Sequence, residues 1–112
     1  MTTTSTIPES TALTLDALIT PTEHGIASRI LSKTGGGSLT LFAFDAGQGL
    51  AEHTAPFDAI VMVLSGRLVL TIGGVDVVAT PGTVVRMPAG IPHALDAPEP
   101  SRMLLNMLKA SA

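Results

Sequence analysis

Imidazole is the side chain whose ordinary chemistry near neutral pH covers both proton transfer and metal binding. This sequence has three: His24, His53 and His93. It has no cysteine, which excludes disulfide frameworks, thiol nucleophiles and cysteine-ligated zinc. A metal would therefore be held by imidazole, carboxylate, amide or thioether. His53 lies in "GQGLAEHTAPFDAIVMVLSG", residues 47–66, six positions after Gly47 and bounded at the far end by Gly66. His93 follows Pro88 and Gly90, which set a turn in "GTVVRMPAGIPHALDA", residues 82–97. Non-haem iron typically takes two histidines and a carboxylate, and catalytic zinc takes three protein ligands. The nearest carboxylates to the first stretch's histidine are Glu52 and Asp58.

The elements that must position these residues read as strands. From Ile26 onward, short apolar runs alternate with turn residues. "GIASRILS" is followed by the flexible "KTGGGS" and then by "LTLFAFDAG". "AIVMVLSG" stops at Ser65-Gly66, read as a tight reversal, and "RLVLTIGG" ends on Gly73-Gly74, a two-residue hairpin signal. "VDVVAT", "TVVRMP" and "HAL" follow, and "RMLLNMLK" is read as a final strand, although its spacing also suits a helix. "STALTLDALIT", residues 10–20, suits one helical turn capped by Ser10 or Thr11, or an edge strand. Turns at this frequency between β-branched runs predict an all-β sandwich or barrel.

With 112 residues the chain makes one domain, predicted over 13–112 after a flexible Thr/Ser-rich tail over 1–12. Six basic against nine acidic residues, with no basic cluster, argue against nucleic acid as a partner. No apolar run approaches the ~20 residues of a helical membrane span, so no membrane is expected. The start lacks a basic n-region and an apolar core, so the expected compartment is the cytoplasm. Yet 46% of residues are hydrophobic and 13% charged, more apolar than a small soluble domain needs. Strands apolar on both faces require cover on both, and a homodimer is the expected use of the surplus.

Taken together, the two stretches resemble the paired motifs of the cupin family. The first motif asks for glycine, five residues, His-x-His, three or four residues, glutamate, six residues and glycine. Gly47, His53, Ala55, Ala59 and Gly66 stand at those places. The second asks for glycine, five residues, Pro-x-Gly, two residues, histidine, three residues and asparagine. Gly82, Pro88, Gly90, His93 and Ala97 stand there. Every spacing fits. The resemblance implies a cupin-type double-stranded β-helix, a small jelly-roll barrel in which His53 and His93 converge, although 40 positions separate them.

It also implies what is missing. The family's full site has three histidines and a glutamate. Here Ala55 replaces a histidine, Ala59 the glutamate, and Ala97 the motif asparagine. Glu52 and Asp58 lie one position from ligand slots, and strand neighbours face opposite ways, so both are expected to point outward unless a bulge intervenes. They are expected at the solvated surface or capping a turn. His24 lies outside both motifs. Met62, Met87, Met103 and Met107 carry thioethers suited to Cu(I), but core filling is the expectation for them.

Three functions are compatible with this reading. The first is a small-molecule-binding barrel whose pocket is lined by His53, His93, Ala55 and Ala59. The second is a metal-dependent enzyme, an isomerase or oxygenase, whose His53 and His93 hold nickel, zinc, iron, manganese or copper weakly with incomplete protein coordination. The third is a dimeric scaffold with no ligand. The sequence names no substrate and no reaction.

Overall fold

The computed structural model describes residues 2–4, by their backbone, and residues 6–109. Met1, Ser5 and the last three positions of the expected domain lie outside the described residues. Among the described residues ten strands follow one another: β1 Thr2–Thr4, β2 Ile26–Thr34, β3 Gly37–Phe44, β4 Gln48–His53, β5 Asp58–Ser65, β6 Leu68–Ile72, β7 Val75–Ala79, β8 Val84–Met87, β9 His93–Ala97 and β10 Ser101–Leu108. The helical element is one 3₁₀ turn, Leu15–Ala17, inside the stretch expected to hold a helical turn. Its N-cap is Thr14, without a side-chain bond, rather than Ser10 or Thr11. The chain's end is a strand, because β10 pairs along its whole length with both β3 and β5.

Two sheets form, one of six strands in the order β1-β2-β3-β10-β5-β8 and one of four in the order β4-β9-β6-β7. All pairs are antiparallel except β1 with β2, where Thr2–Thr4, within the segment expected as a tail, runs parallel to Ser28–Ile30. The inner faces enclose a core that includes Phe44, Val61, Val63, Leu68, Leu70, Leu95 and Met103. Each such fully buried aliphatic side chain contributes about 1.5–3 kcal/mol of burial free energy.

Two turns show how the chain is steered. At Gly73-Gly74 both φ angles are positive, +57° and +83°, and Ile72 pairs directly with Val75. This is the two-residue hairpin the glycines predict. Gly66 differs from the expected tight reversal between paired strands. β5 and β6 belong to different sheets, so Gly66 carries the chain across the barrel. Its φ is +76°, and a Cβ there would collide with Pro100 O and Ser101 Oγ. The next residue, Arg67, donates its N–H to Ser101 Oγ at 2.9 Å and fixes the crossing.

The outer face of the six-stranded sheet is covered in part by the chain's own N-terminal segment. Ile7 N–H donates to Leu31 O (2.9 Å), Arg29 Nη1 to Leu18 O (3.1 Å) and Arg102 Nη1 to Asp16 Oδ1 (3.2 Å). The segment thus bridges β2 and β10 above Leu41 and Ala43, which are buried although they face away from the core. Further along the sheet Met62 and Val84, paired across β5 and β8, stay exposed on that outer face.

Candidate functional site

His93 opens β9 and reaches its place through the turn 88–90. Two contacts fix that turn. Gly90 N–H donates to Ala55 O at 2.9 Å, and Ala89 N–H donates to Asp58 Oδ1 at 2.9 Å. Asp58 also accepts from Arg86 Nη1 at 3.1 Å. The Ala89 N–H and then Arg86 hold its carboxyl below the usual aspartate value, since both favour the ionised form. Asp58 is thus a turn anchor facing away from the cavity, and Glu52 is exposed.

His53 ends β4 and pairs directly with His93. How it comes to face inward is not a matter of simple alternation. Leu50 pairs with Leu95, and His53 with His93, so three steps on β4 match two on β9. The extra residue makes a bulge across Ala51 and Glu52. A bulge resets which side chains face inward. Leu50 and His53 therefore both line the barrel, whereas strict alternation from Leu50 would have turned Glu52 inward and His53 out.

The two rings meet edge to face, with centroids 4.4 Å apart and planes at 68°. Each ring's Nδ1 faces a backbone carbonyl: His53 donates to Ala51 O at 2.8 Å and His93 to Ile91 O at 3.2 Å. A carbonyl only accepts, so in each neutral imidazole the proton is assigned to Nδ1 and the lone pair to Nε2. His93 is buried at 3% exposure, whereas His53 is exposed at the barrel mouth.

Between them and the opposite sheet lies a cavity of about 60 Å³, lined by the two histidines, Ala55, Ala59, and by leucine and methionine side chains. The sequence-predicted site residues His53, His93, Ala55 and Ala59 are thus brought to one place. His24 is not among them. Its side chain is 85% exposed, and its backbone N–H, at φ +56°, donates to Asp45 Oδ2 at 2.7 Å. Together with the Ala46 N–H, this bond lowers the Asp45 pKa. Of the four thioethers named from the sequence, Met87, Met103 and Met107 also line the cavity, whereas Met62 is exposed on the outer face and does not fill the core. The signal for the pair on β10 was the alternation Met103, Leu105, Met107, which puts those three residues on one face of a strand. Met107 also lines a surface groove with Lys33, Thr34, Ser38, Phe57 and Lys109, and so stands between the cavity and solvent.

The donor set decides which metals the site suits. Among the described residues, no group of three or more His, Asp and Glu side chains is arranged to hold a metal ion. Two neutral imidazoles without a carboxylate do not fit a hard divalent ion, which needs further donors and negative charge beside it. No step of a divalent-metal reaction follows from these residues. Among the described residues, no helix is long and apolar enough to cross a membrane.

Comparison with known proteins agrees with the geometry. The Cupin domain family model matches residues 40–107. A conserved protein of unknown function from Streptococcus pyogenes is 35% identical, with a TM-score of 0.89 over 100% of this chain and 98% of its own. A cupin superfamily protein from Desulfitobacterium hafniense is 25% identical, with a TM-score of 0.86 over 95% of this chain and 97% of its own. A Cupin 2 conserved barrel domain protein from Leptotrichia buccalis is 32% identical, with a TM-score of 0.80 over 84% of this chain and 46% of its own. No curated protein matches. With both motif spacings, the two-sheet barrel and the family match in agreement, the chain belongs to the cupin domain family.

Proposed function

We propose that the protein is a binding module that takes one small ligand into the barrel, with Nε2 of His53 and of His93 as the polar contacts. The carrying observation is the cavity itself. Apolar and thioether side chains line it, and two convergent imidazole nitrogens are its strong polar groups. Pockets of that make-up, apolar walls with a few placed polar groups, are where small ligands bind. Alanine at positions 55 and 59 supports a binding role over a catalytic one. It removes the groups that would complete a hard-metal centre and leaves space in their place. The size bounds the ligand. A water needs roughly 10–15 Å³ by the same measure, so about 60 Å³ admits only a body of a few non-hydrogen atoms.

The test is thermal unfolding of tag-free protein with short-chain alcohols, short-chain carboxylic acids and single metal ions as probes, repeated with His53→Ala. That substitution is at the exposed mouth and spares the core. A bound probe at about 100 times its Kd adds about 2.7 kcal/mol. The expected result is a rise of several degrees in Tm for at least one probe, absent in His53→Ala. No shift with any probe, or the same shift in the variant, would overturn the reading.

A further inference from the structure

We propose that the ligand of this cavity is a soft monovalent cation, Cu(I), held by Nε2 of His53 and His93 and by the thioether of Met87 or Met107. The inference rests on the reading of the cavity as a ligand site and names what that site selects. Its first support is register. Ala59 on β5 pairs with Met107 of β10 on one side and with Met87 of β8 on the other. Directly paired strand residues have Cβ atoms about 4.5–5.5 Å apart. Two thioethers therefore flank the methyl group that stands in the motif's carboxylate slot, and both line the same cavity as the two imidazoles. Met87 is 2% exposed, so its sulfur is committed to the interior.

The second support is charge. Among the described residues, no carboxylate lines the cavity. The cost of burying an ion grows with the square of its charge, so an uncompensated divalent ion is far costlier here than a monovalent one. Thioether and imidazole donors are neutral and soft, and thioethers select Cu(I) over harder ions. The third support is availability of donors. Both Nδ1 atoms are engaged with backbone carbonyls, which leaves both Nε2 lone pairs free to ligate.

Core filling alone would be served as well by leucine, because a Leu–Met exchange conserves volume and is well tolerated in a core. That makes Met87→Leu with Met107→Leu the discriminating variant. Tag-free protein would be titrated anaerobically with Cu(I) against a chromogenic Cu(I) chelator, and separately with Zn(II) and Ni(II). X-ray absorption would then identify the scatterers around the copper. The expected result is one Cu(I) per chain with sulfur in its shell and weaker binding of Zn(II) and Ni(II). Losing even an outer-shell partner costs metal sites 10–100-fold, so the double leucine variant should bind Cu(I) at least about tenfold more weakly. His53→Ala should weaken it likewise. Met87→Leu alone serves if the double variant unfolds at a lower temperature. Wild-type affinity in the leucine variant would overturn the thioether assignment while leaving the histidine cavity standing. Tighter Zn(II) than Cu(I), or no Cu(I) binding, would overturn the soft-cation assignment, and organic probes would still report on the cavity. Cu(I) affinity unchanged in His53→Ala would put the ion outside the cavity and overturn the soft-cation assignment, while the organic probes would still test the cavity.

Discussion

The two strands that carry the motif histidines are neighbours, yet they are built differently. β9 lies inside its sheet between β4 and β6, while β4 is an edge. Along β9, His93, Leu95 and Ala97 alternate inward and are all buried. Along β4, Gly49, Ala51, Glu52 and His53 are exposed and the pairing slips. One histidine is therefore part of the core, and the other sits on a bulged edge that core packing does not hold. A site assembled from one fixed and one adjustable donor suits binding, where the outer donor can close on a ligand after it enters. The largest effect that would break this contrast is on stability. Leu50 and Leu95 are direct partners across the pair. Leu95→Ala is expected to cost about 2–5 kcal/mol, as buried leucine truncations do. Leu50→Ala, at a half-buried edge position, is expected to cost less than half as much. Equal costs in urea unfolding would mean that β4 is as firmly built as β9.

The bulge is the second place to test the contrast. Deleting Ala51 would remove the extra residue and leave His53 two steps from Leu50, so plain alternation would face it inward opposite His93 without a bulge. The edge position limits the stability loss to about 1–2 kcal/mol, within the ordinary range for a single change. The site should keep its aim. Binding of whichever probe the wild type takes should stay well above the level of His53→Ala, and the 4.4 Å ring contact should persist in NMR ring-current shifts. Binding that falls to the His53→Ala level would show that the bulge itself, and not the count of residues from Leu50, aims the ring.

The same contrast explains what could be read beforehand. His93 was legible because Pro88 and Gly90 announce a turn at a fixed distance before it, and that turn is local chemistry. The inward aim of His53 was not legible from the strand alone, since the extra residue is a plain Ala-Glu pair with no glycine to mark it. The motif spacing pointed to the right place for a reason that alternation could not supply. The hairpin at Gly73-Gly74 was legible, whereas the sheet crossing at Gly66 was read as a simple reversal. A turn residue specifies the bend, but the partner strand is chosen by the rest of the barrel. The cover over Leu41 and Ala43 depends on Arg29 and Arg102 meeting a segment far away in sequence, and no local pattern encodes that meeting. Met87, Met103 and Met107 were legible as interior, but Met62, expected there too, faces outward and is exposed. Their convergence on the alanine slot needed the register of three strands, which composition does not carry.

The smallest effect concerns how firmly the turn before β9 is fixed. Asp58 joins the start of β5 to that turn through Ala89 N–H, with Arg86 as a second partner. Both lower its pKa in the folded state. A folded-state pKa below the unfolded one means that the unfolded chain binds more protons in the window between them. Stability from this carboxylate is therefore complete above the unfolded value of ~3.9 and is lost as pH falls through the lower folded value. Asp58→Asn deletes that contribution at neutral pH, so the variant starts lower and its stability falls less steeply in acid. Because the group is solvent-accessible, the change should be small beside that of Leu95→Ala. Urea midpoints measured from neutral pH down into the acid range check it. Parallel curves for wild type and Asp58→Asn would show that the anchor adds nothing to the fixed end of the site, and the ordering of β9 would then rest on packing alone.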